Sequence, residues 1–157
     1  MTDALVAFLA ALGAMAVVDG VWLGLVARTF YRRHLGPLMA ERPNWTAAVA
    51  FYLLYVVGVT VFAVLPSADV SSLANAAWRG GLFGLVAYAT YDLTNAAPLR
   101  GWPAIVTLVD MAWGVILTAA VATIAAGRCC SSLSPRRPAP RDGAGSAPRM
   151  SRRPTRL

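Results

Sequence analysis

The sequence predicts an all-α membrane protein: a compact bundle of four transmembrane helices followed by a basic tail. Four apolar segments approach or exceed the roughly 20 residues that span a bilayer as a helix. Hydrophobic residues make up 58% of the 157-residue chain and charged residues 13%, whereas a soluble domain carries about 25% charged residues. A soluble fold of this composition would lack the polar surface that keeps it dissolved, so we expect one integral membrane domain.

The spans are delimited by residues that commonly start or stop helices. Arg28 follows the first span, Asn44 is a candidate N-cap for the second span, and Pro66 should end it. Pro103 lies where the first turn of the last span begins, a position that favours proline. The predicted spans cover residues of about 4–27, 46–65, 73–96 and 103–126, within a domain of residues 1–126.

Beyond this domain, residues 127–157 are rich in Pro, Ser, Gly and Arg and contain few bulky apolar side chains. Such a segment cannot bury enough surface to fold, so we expect a disordered Arg/Pro-rich C-terminal tail. The adjacent Cys129 and Cys130 have no accompanying metal ligands, and neighbouring cysteines rarely bridge each other. Neither a disulfide framework nor a zinc site is therefore predicted.

The formal net charge of +7 lies mostly in the tail and in the loop after the first span. Arginines flank membrane spans because they are attracted to anionic lipid, so membrane lipids are the expected partners and nucleic acid is not. The absence of lysine and the abundance of alanine suggest a GC-rich bacterial genome, hence a multi-pass protein of the bacterial cytoplasmic (inner) membrane. Arginines near the span ends are balanced between the two sides, which leaves the orientation open.

Three aspartates lie inside the apolar segments: Asp19, Asp92 and Asp110. An ionisable side chain at membrane depth costs roughly 2.5–3.5 kcal/mol on insertion scales, so each marks a functional site or a specific packing contact. If the helices alternate in direction, all three acids approach one membrane face, with Asp19 and Asp110 roughly 10–12 Å below it. The sequence therefore predicts either an intramembrane pocket or a set of interhelical hydrogen bonds.

Helical spacing places further polar and small residues beside these acids. Asp-x-x-Trp occurs at Asp19–Trp22 and again at Asp110–Trp113, and each indole N–H can donate to a carboxylate. Glycine pairs at GxxxG spacing, Gly20–Gly24 and Gly80–Gly84, let membrane helices approach closely. The predicted pocket residues are Asp19, Trp22, Tyr88, Asp92, Asn95, Asp110 and Trp113. The predicted lipid-headgroup contacts in the basic loop are Arg28, Arg32, Arg33 and Arg42.

Long stretches of the chain resemble the DUF2177 family of predicted bacterial membrane proteins. They read DGVWLGLVARTFYRRHLGPLMAERPNW, FGLVAYATYDLTNAAPLRGWP and LVDMAWG, and the resemblance covers residues of about 4–126. It implies a compact four-helix membrane domain and supplies no activity. The pocket residues Asp19, Trp22, Asp92, Asn95, Asp110 and Trp113 all fall in the matching stretches.

Motifs of established chemistry are missing from the sequence, so no catalytic residue, metal or cofactor is predicted. The lone histidine, His34, is expected to be a solvated loop residue. The leading hypothesis is a small membrane protein that binds or transports a small cation, a proton or a lipid headgroup at the carboxylates. Two alternatives remain open: a structural or accessory subunit that packs against a second copy or a partner protein, and a lipid-modifying enzyme.

Overall fold

The computed structural model describes residues 2–40 and 42–133, and every regular element in these ranges is helical. The helices in chain order are α1 (Thr2–Trp22), α2 (Arg28–Leu35), α3 (Trp45–Val59), α4 (Leu65–Asp69), α5 (Leu73–Ala96) and α6 (Ala104–Leu133). A π-helical turn at Leu23–Ala27 joins α1 to α2, and another at Thr60–Val64 joins α3 to α4. A short 3-10 turn, Gly36–Leu38, follows α2. Of the tail predicted for residues 127–157, residues 127–133 are helical, which corrects the prediction there, and residues 134–157 lie outside the described residues.

Within these ranges, three helical stretches are long and apolar enough to cross a membrane: Asp3–Leu35, Trp45–Ala68 and Ala104–Cys129. Large apolar side chains remain exposed along them, such as Leu25 at 78% and Leu54 at 74%. Exposed apolar surface of this extent suits a lipid environment, which solvates it without cost. The prediction of an all-helical membrane protein is confirmed to this extent, and α5 packs against the second and third of these stretches.

Helices α5 and α6 form the most extensive interface of the bundle and run antiparallel. Gly80 of α5 lies against Ala122 of α6, and Gly84 lies against Gly114. A Cβ atom at Gly80 would lie 2.6 Å from the Thr118 carbonyl oxygen, and one at Gly84 would lie 2.1 Å from that of Gly114. The glycine pair on α5 therefore lets the two backbones touch, as its GxxxG spacing predicts.

The corresponding glycines of the first helix have a different environment. A Cβ atom at Gly20 or at Gly24 would meet no other atom within 4 Å. Both glycines are exposed, because α1 turns its opposite side, with Ala11 and Met15, toward the core. Their GxxxG spacing therefore does not mediate packing within the described part of the chain.

Several helix boundaries differ from the predicted ones. Asn44 caps α3 as predicted, since its side chain accepts a hydrogen bond of 3.1 Å from the Ala47 N–H. The first helix continues through the Arg28 region to Leu35, and α6 continues to Leu133 rather than ending near Ala126. No proline interrupts either extension, and Gly127 alone does not stop a helix whose next turn remains hydrogen-bonded.

The predicted end of the second helix at Leu65 is wrong, because the chain stays helical through Pro66 to Asp69. Proline has no N–H to donate to the carbonyl four residues earlier, which is that of Phe62. The π-turn widens the helix here, with the Leu65 N–H bonded to the Thr60 carbonyl. The Arg79 guanidinium donates to the Phe62 oxygen at 3.4 Å, so a neighbouring helix supplies the donor that Pro66 lacks.

Candidate functional site

A cavity of about 360 Å³ opens between α3, α5, α6 and the first helix, which here means the continuous helical stretch of α1, the π-turn and α2. Eight of its eleven lining side chains are aromatic, and Asp19 is the one acid among them. The lining residues are Asp19, Trp22, Leu23, Tyr31, Phe51, Tyr52, Tyr55, Ala87, Tyr88, Tyr91 and Trp113. The cavity is thus an aromatic enclosure with one carboxylate in its wall.

Asp19 is held by donors from two other helices. Its Oδ1 accepts a hydrogen bond of 3.2 Å from the Trp113 indole N–H of α6, and its Oδ2 accepts one from the Tyr52 hydroxyl of α3. The side chain is 7% exposed. A carboxylate offers about four lone-pair sites, so acceptor capacity remains on both oxygens for a ligand in the cavity.

The two Asp-x-x-Trp segments meet in the wall of this cavity. Trp22 of α1 stacks on Trp113 of α6, with ring centroids 4.3 Å apart and an interplanar angle of 12°. Stacked aromatic rings bury large surfaces and hold a defined mutual orientation. The stack therefore fixes the plane of Trp113 while its N–H points to Asp19.

Another part of the wall is built on α5 and α6 around Gly114. The Tyr88 ring packs over this glycine, where a Cβ atom would lie 2.3 Å from Tyr88 Cδ2. Tyr55 and Thr118 share a hydrogen bond of 2.6 Å between their hydroxyl oxygens, and Thr118 Oγ1 lies 2.7 Å from the Gly114 carbonyl. The absence of a side chain at Gly114 thus allows an aromatic ring to approach the α6 backbone.

Tyr31 connects the cavity to Asp110. Its side chain lines the cavity, and its hydroxyl donates a hydrogen bond to Asp110 Oδ1. Asp110 itself is 6% exposed and lies outside the cavity wall. The Tyr31 hydroxyl is therefore the polar link between the enclosure and a second carboxylate.

The π-turn at Leu23–Ala27 explains why Tyr31 shares a face with Asp19. In an uninterrupted α-helix, residues twelve apart differ by about 120° around the axis, since each residue turns about 100°. A π-turn accommodates one additional residue, which reduces the difference to about 20°. The turn thus rotates Tyr31 into line with Asp19, which a regular helical pattern does not predict.

Asp92 and Asn95 also lie outside the cavity wall. Asp92 is completely buried, and among the described residues neither of its carboxyl oxygens has a hydrogen-bond partner. Asn95 donates from its side-chain amide to the Tyr91 carbonyl at 2.9 Å, within its own helix. Of the seven predicted pocket residues, the cavity wall contains Asp19, Trp22, Tyr88 and Trp113.

Sequence reasoning missed the tyrosines of the cavity. Tyr52 and Tyr55 stand three residues apart in a segment of aliphatic side chains, which places both hydroxyls on one helix face. That spacing, read together with Asp19 on the preceding helix, could have pointed to them. Tyr31 carried no such signal because its position depends on the π-turn.

The predicted headgroup contacts Arg28, Arg32, Arg33 and Arg42 are all exposed and lie outside the cavity wall. His34 has its Nδ1 atom 2.9 Å from the Phe30 carbonyl oxygen, within the same helix. In the described part of the chain, no group of three or more His, Cys, Asp or Glu side chains is arranged to hold a metal ion. The groups that the cavity offers to a ligand are therefore aromatic rings, tyrosine hydroxyls and one carboxylate.

Comparisons with known proteins identify the family. A family model described as a predicted membrane protein, DUF2177, matches residues 4–127. This range contains every residue of the cavity wall. Searches of curated proteins and of solved structures found no match. The chain therefore belongs to the DUF2177 family of predicted membrane proteins.

Proposed function

We propose that this membrane protein binds an organic cation in the aromatic cavity, with Asp19 as the counter-charge. The ligand class is an amine or quaternary ammonium group on a small amphipath or on a lipid headgroup. The observation that carries the proposal is a lone carboxylate set among eight aromatic side chains. A lipid source and a free cation share this chemistry, and the experiments below separate them.

Aromatic walls favour a cation because the face of each ring is electron-rich. Contact with a desolvated cation contributes about 2 kcal/mol or more, and tryptophan is the strongest partner. Trp22 and Trp113 both line the cavity, which supplies two indoles beside Asp19. The cavity volume of about 360 Å³ lies toward the small end of ligand sites, which favours a compact ammonium group over a large ring system.

The electrostatics of Asp19 point in the same direction. Its hydrogen-bond donors, Tyr52 and Trp113, are both neutral. They orient the carboxylate and leave its charge uncompensated, which is unfavourable away from water. A cationic ligand would compensate that charge and would also satisfy the remaining lone pairs.

The rim of the cavity suits entry from the lipid side. Leu23, Phe51 and Tyr91 are 46%, 50% and 59% exposed. Tyr52 lies seven residues beyond the start of α3, which places it about 10 Å along the helix. A lipid headgroup at that depth would remain close to the membrane face while its amine reaches Asp19.

The proposed setting is a bundle of four spans in the bacterial cytoplasmic membrane, in which α5 is the additional span. The exposed arginines Arg28, Arg32, Arg33 and Arg42 would contact lipid phosphates at one face. Gly20 of α1 and Gly24 of the following π-turn are exposed and offer a surface on which a second copy or a partner helix could pack.

Binding of dodecyltrimethylammonium to the protein in phosphatidylglycerol nanodiscs tests this proposal, with tryptophan fluorescence as the readout. An uncharged analogue, in which carbon replaces the ammonium nitrogen, measures the apolar contribution alone. We expect saturable quenching by the cation, at least about tenfold tighter than the analogue, which corresponds to about 1.4 kcal/mol. Asp19→Asn should reduce that preference to the part that the aromatic walls supply, whereas Asp3→Asn, at an exposed residue of α1, should retain it in full.

Equal affinity for the cation and for its uncharged analogue would refute the proposal. A cation preference that is undiminished in Asp19→Asn would place the site elsewhere. Competition by phosphatidylethanolamine in the nanodisc would identify a lipid headgroup as the source of the amine. The absence of such competition would favour a free amphipathic cation.

A structural role is the second candidate, because the bonds of Asp19 and Asp110 join different helices. In this case the acids stabilise the bundle and the cavity has no ligand. Asparagine preserves part of the hydrogen bonding and removes the charge. Loss of folding in Asp19→Asn, without cation binding by the wild type, would therefore favour the structural role.

A further inference from the structure

A second acidic site involves Asp92 of α5 and Asp110 of α6, which interact electrostatically. We propose that Asp92 and Asp110 form a proton-binding pair that releases a proton when a cation enters the aromatic cavity. The proton site stands on its own geometry, whereas its coupling to a cation rests on the proposed function. The ligand of the pair is a single proton.

The surroundings of Asp92 favour a neutral carboxyl group. The side chain has no exposed surface, and neither oxygen has a hydrogen-bond partner among the described residues. An ionised carboxylate buried without a partner is strongly unfavourable, and a buried acid usually becomes neutral instead. Asp92 is the one aspartate of the three whose oxygens lack any donor in this part of the chain, so it is where the proton resides.

Among the described residues, the titratable groups that interact electrostatically with Asp92 carry no positive charge. These groups are Asp110 of α6, Tyr31 of the first helix and Tyr91 of its own helix. Two carboxyl groups in close proximity do not both ionise readily and share one proton. Asp110 accepts a hydrogen bond from Tyr31, which favours the charge on Asp110 and the proton on Asp92.

Tyr31 is the physical link between this pair and the cavity. Its side chain forms part of the cavity wall while its hydroxyl donates to Asp110. A cation in the cavity therefore adds a positive charge next to the pair, which favours ionisation of the second carboxyl. The O–H bond of Asp92 breaks, the electron pair stays on the carboxylate oxygen, and the proton passes to water at the membrane face.

This exchange keeps the net charge of the site unchanged, because one positive charge enters as another leaves. Linkage requires that proton release and cation affinity influence each other equally. Since protons compete with the cation, affinity should rise with pH, by at most about tenfold per pH unit for one released proton. Asp92→Asn removes the exchangeable proton and should leave the affinity nearly independent of pH.

Infrared spectroscopy of the ligand-free protein in nanodiscs tests the proton site directly. The wild type should show the carbonyl stretch of a protonated carboxylic acid at neutral pH, and Asp92→Asn should lose this band. Asp92→Leu, whose side chain branches at the same carbon, serves as a second variant in case the amide disturbs the packing. Asp3→Asn is the matched control and should retain the band. A wild-type spectrum without the band, or a band that persists in both Asp92 variants, would overturn the proton site.

Calorimetry of dodecyltrimethylammonium binding in buffers of different ionisation enthalpy tests the coupling. We expect net proton release in the wild type and none in Asp92→Asn, with binding retained in both. Binding to the wild type without proton release would overturn the coupling. If the probe does not bind, the proposed function fails and the coupling fails with it, while the infrared band still decides the proton site.

Discussion

The Trp113 indole N–H of α6 donates a hydrogen bond of 3.2 Å to the Asp19 carboxylate of α1. The same indole stacks on Trp22, one turn from that aspartate, at a centroid distance of 4.3 Å. Two sequence-distant Asp-x-x-Trp segments are thereby joined in one wall, with the acid of one segment bonded to the tryptophan of the other. The orientation of the carboxylate thus depends on a ring that packing already fixes.

Replacement of Trp113 by Phe should preserve much of the stacking and remove the donor to Asp19. We expect a loss of about 1–3 kcal/mol in the free energy of unfolding, the usual cost of leaving a buried acceptor unsatisfied. Thermal unfolding in nanodiscs, followed by circular dichroism, measures it. Trp78→Phe is the control, since Trp78 is 70% exposed. Equal effects of the two substitutions would show that the bond to Asp19 contributes nothing.

Gly84→Ala should disrupt the contact between α5 and α6. The added Cβ atom would lie 2.1 Å from the Gly114 carbonyl oxygen, which is backbone and can yield only if the helices separate. Overpacking of this kind costs about 1–3 kcal/mol. Gly20→Ala adds the same methyl group where no atom lies within 4 Å and should be neutral or stabilising. The difference between their melting temperatures is the measurement, and similar temperatures would contradict the close crossing.

The contrast between these glycines shows what the sequence could predict. The apolar segments determined the helical class, and the spacing of Gly80 and Gly84 predicted the tight crossing. The same spacing at Gly20 and Gly24 predicted a contact that the described chain does not make, because spacing does not specify which helix face is buried. Helical spacing likewise predicted Asn95 beside Asp92 in the pocket, yet the Asn95 amide donates to the Tyr91 carbonyl of its own helix.

The two π-turns account for other differences. A regular helical repeat does not bring Tyr31 onto the face of Asp19, and it does not carry a helix through Pro66. Each turn is accompanied by a tertiary contact that the local sequence does not specify: the Tyr31–Asp110 bond in one case and the Arg79–Phe62 bond in the other. Local pattern therefore predicted Trp22, Tyr88 and Trp113 on the cavity wall and missed Tyr31.

Deletion of Gly24 should convert the first π-turn into regular α-helix. Tyr31 would then follow Asp19 by eleven residues, about 20° apart around the axis, and should keep its bond to Asp110. Tyr31→Phe should therefore cost about 1 kcal/mol in the wild type and about as much in the deletion background. Gly24→Ala, which keeps the number of residues and has free space around it, should behave like the wild type. A cost of Tyr31→Phe that disappears in the deletion background would contradict the account of the turn as one additional residue.

Arg79 should matter for stability only while Pro66 is present. Its guanidinium donates a hydrogen bond to the Phe62 carbonyl oxygen. Pro66 has no N–H that could donate to this oxygen. Arg79→Met should cost about 1 kcal/mol or less, since the bond is exposed and long. In a Pro66→Ala background the backbone N–H can replace the guanidinium, so the same substitution should cost nothing. A double-mutant cycle of unfolding free energies gives the coupling, and a value of zero would argue against the compensation.

Native mass spectrometry of the protein released from nanodiscs of bacterial lipid tests the central claim most directly. The account predicts an adduct that carries an amine or quaternary ammonium group on the wild type and on Asp3→Asn. The adduct should be absent from Asp19→Asn, with all three forms equally folded by circular dichroism. Wild-type protein without any such adduct, or an adduct retained equally by Asp19→Asn, would contradict cation binding at the aromatic cavity.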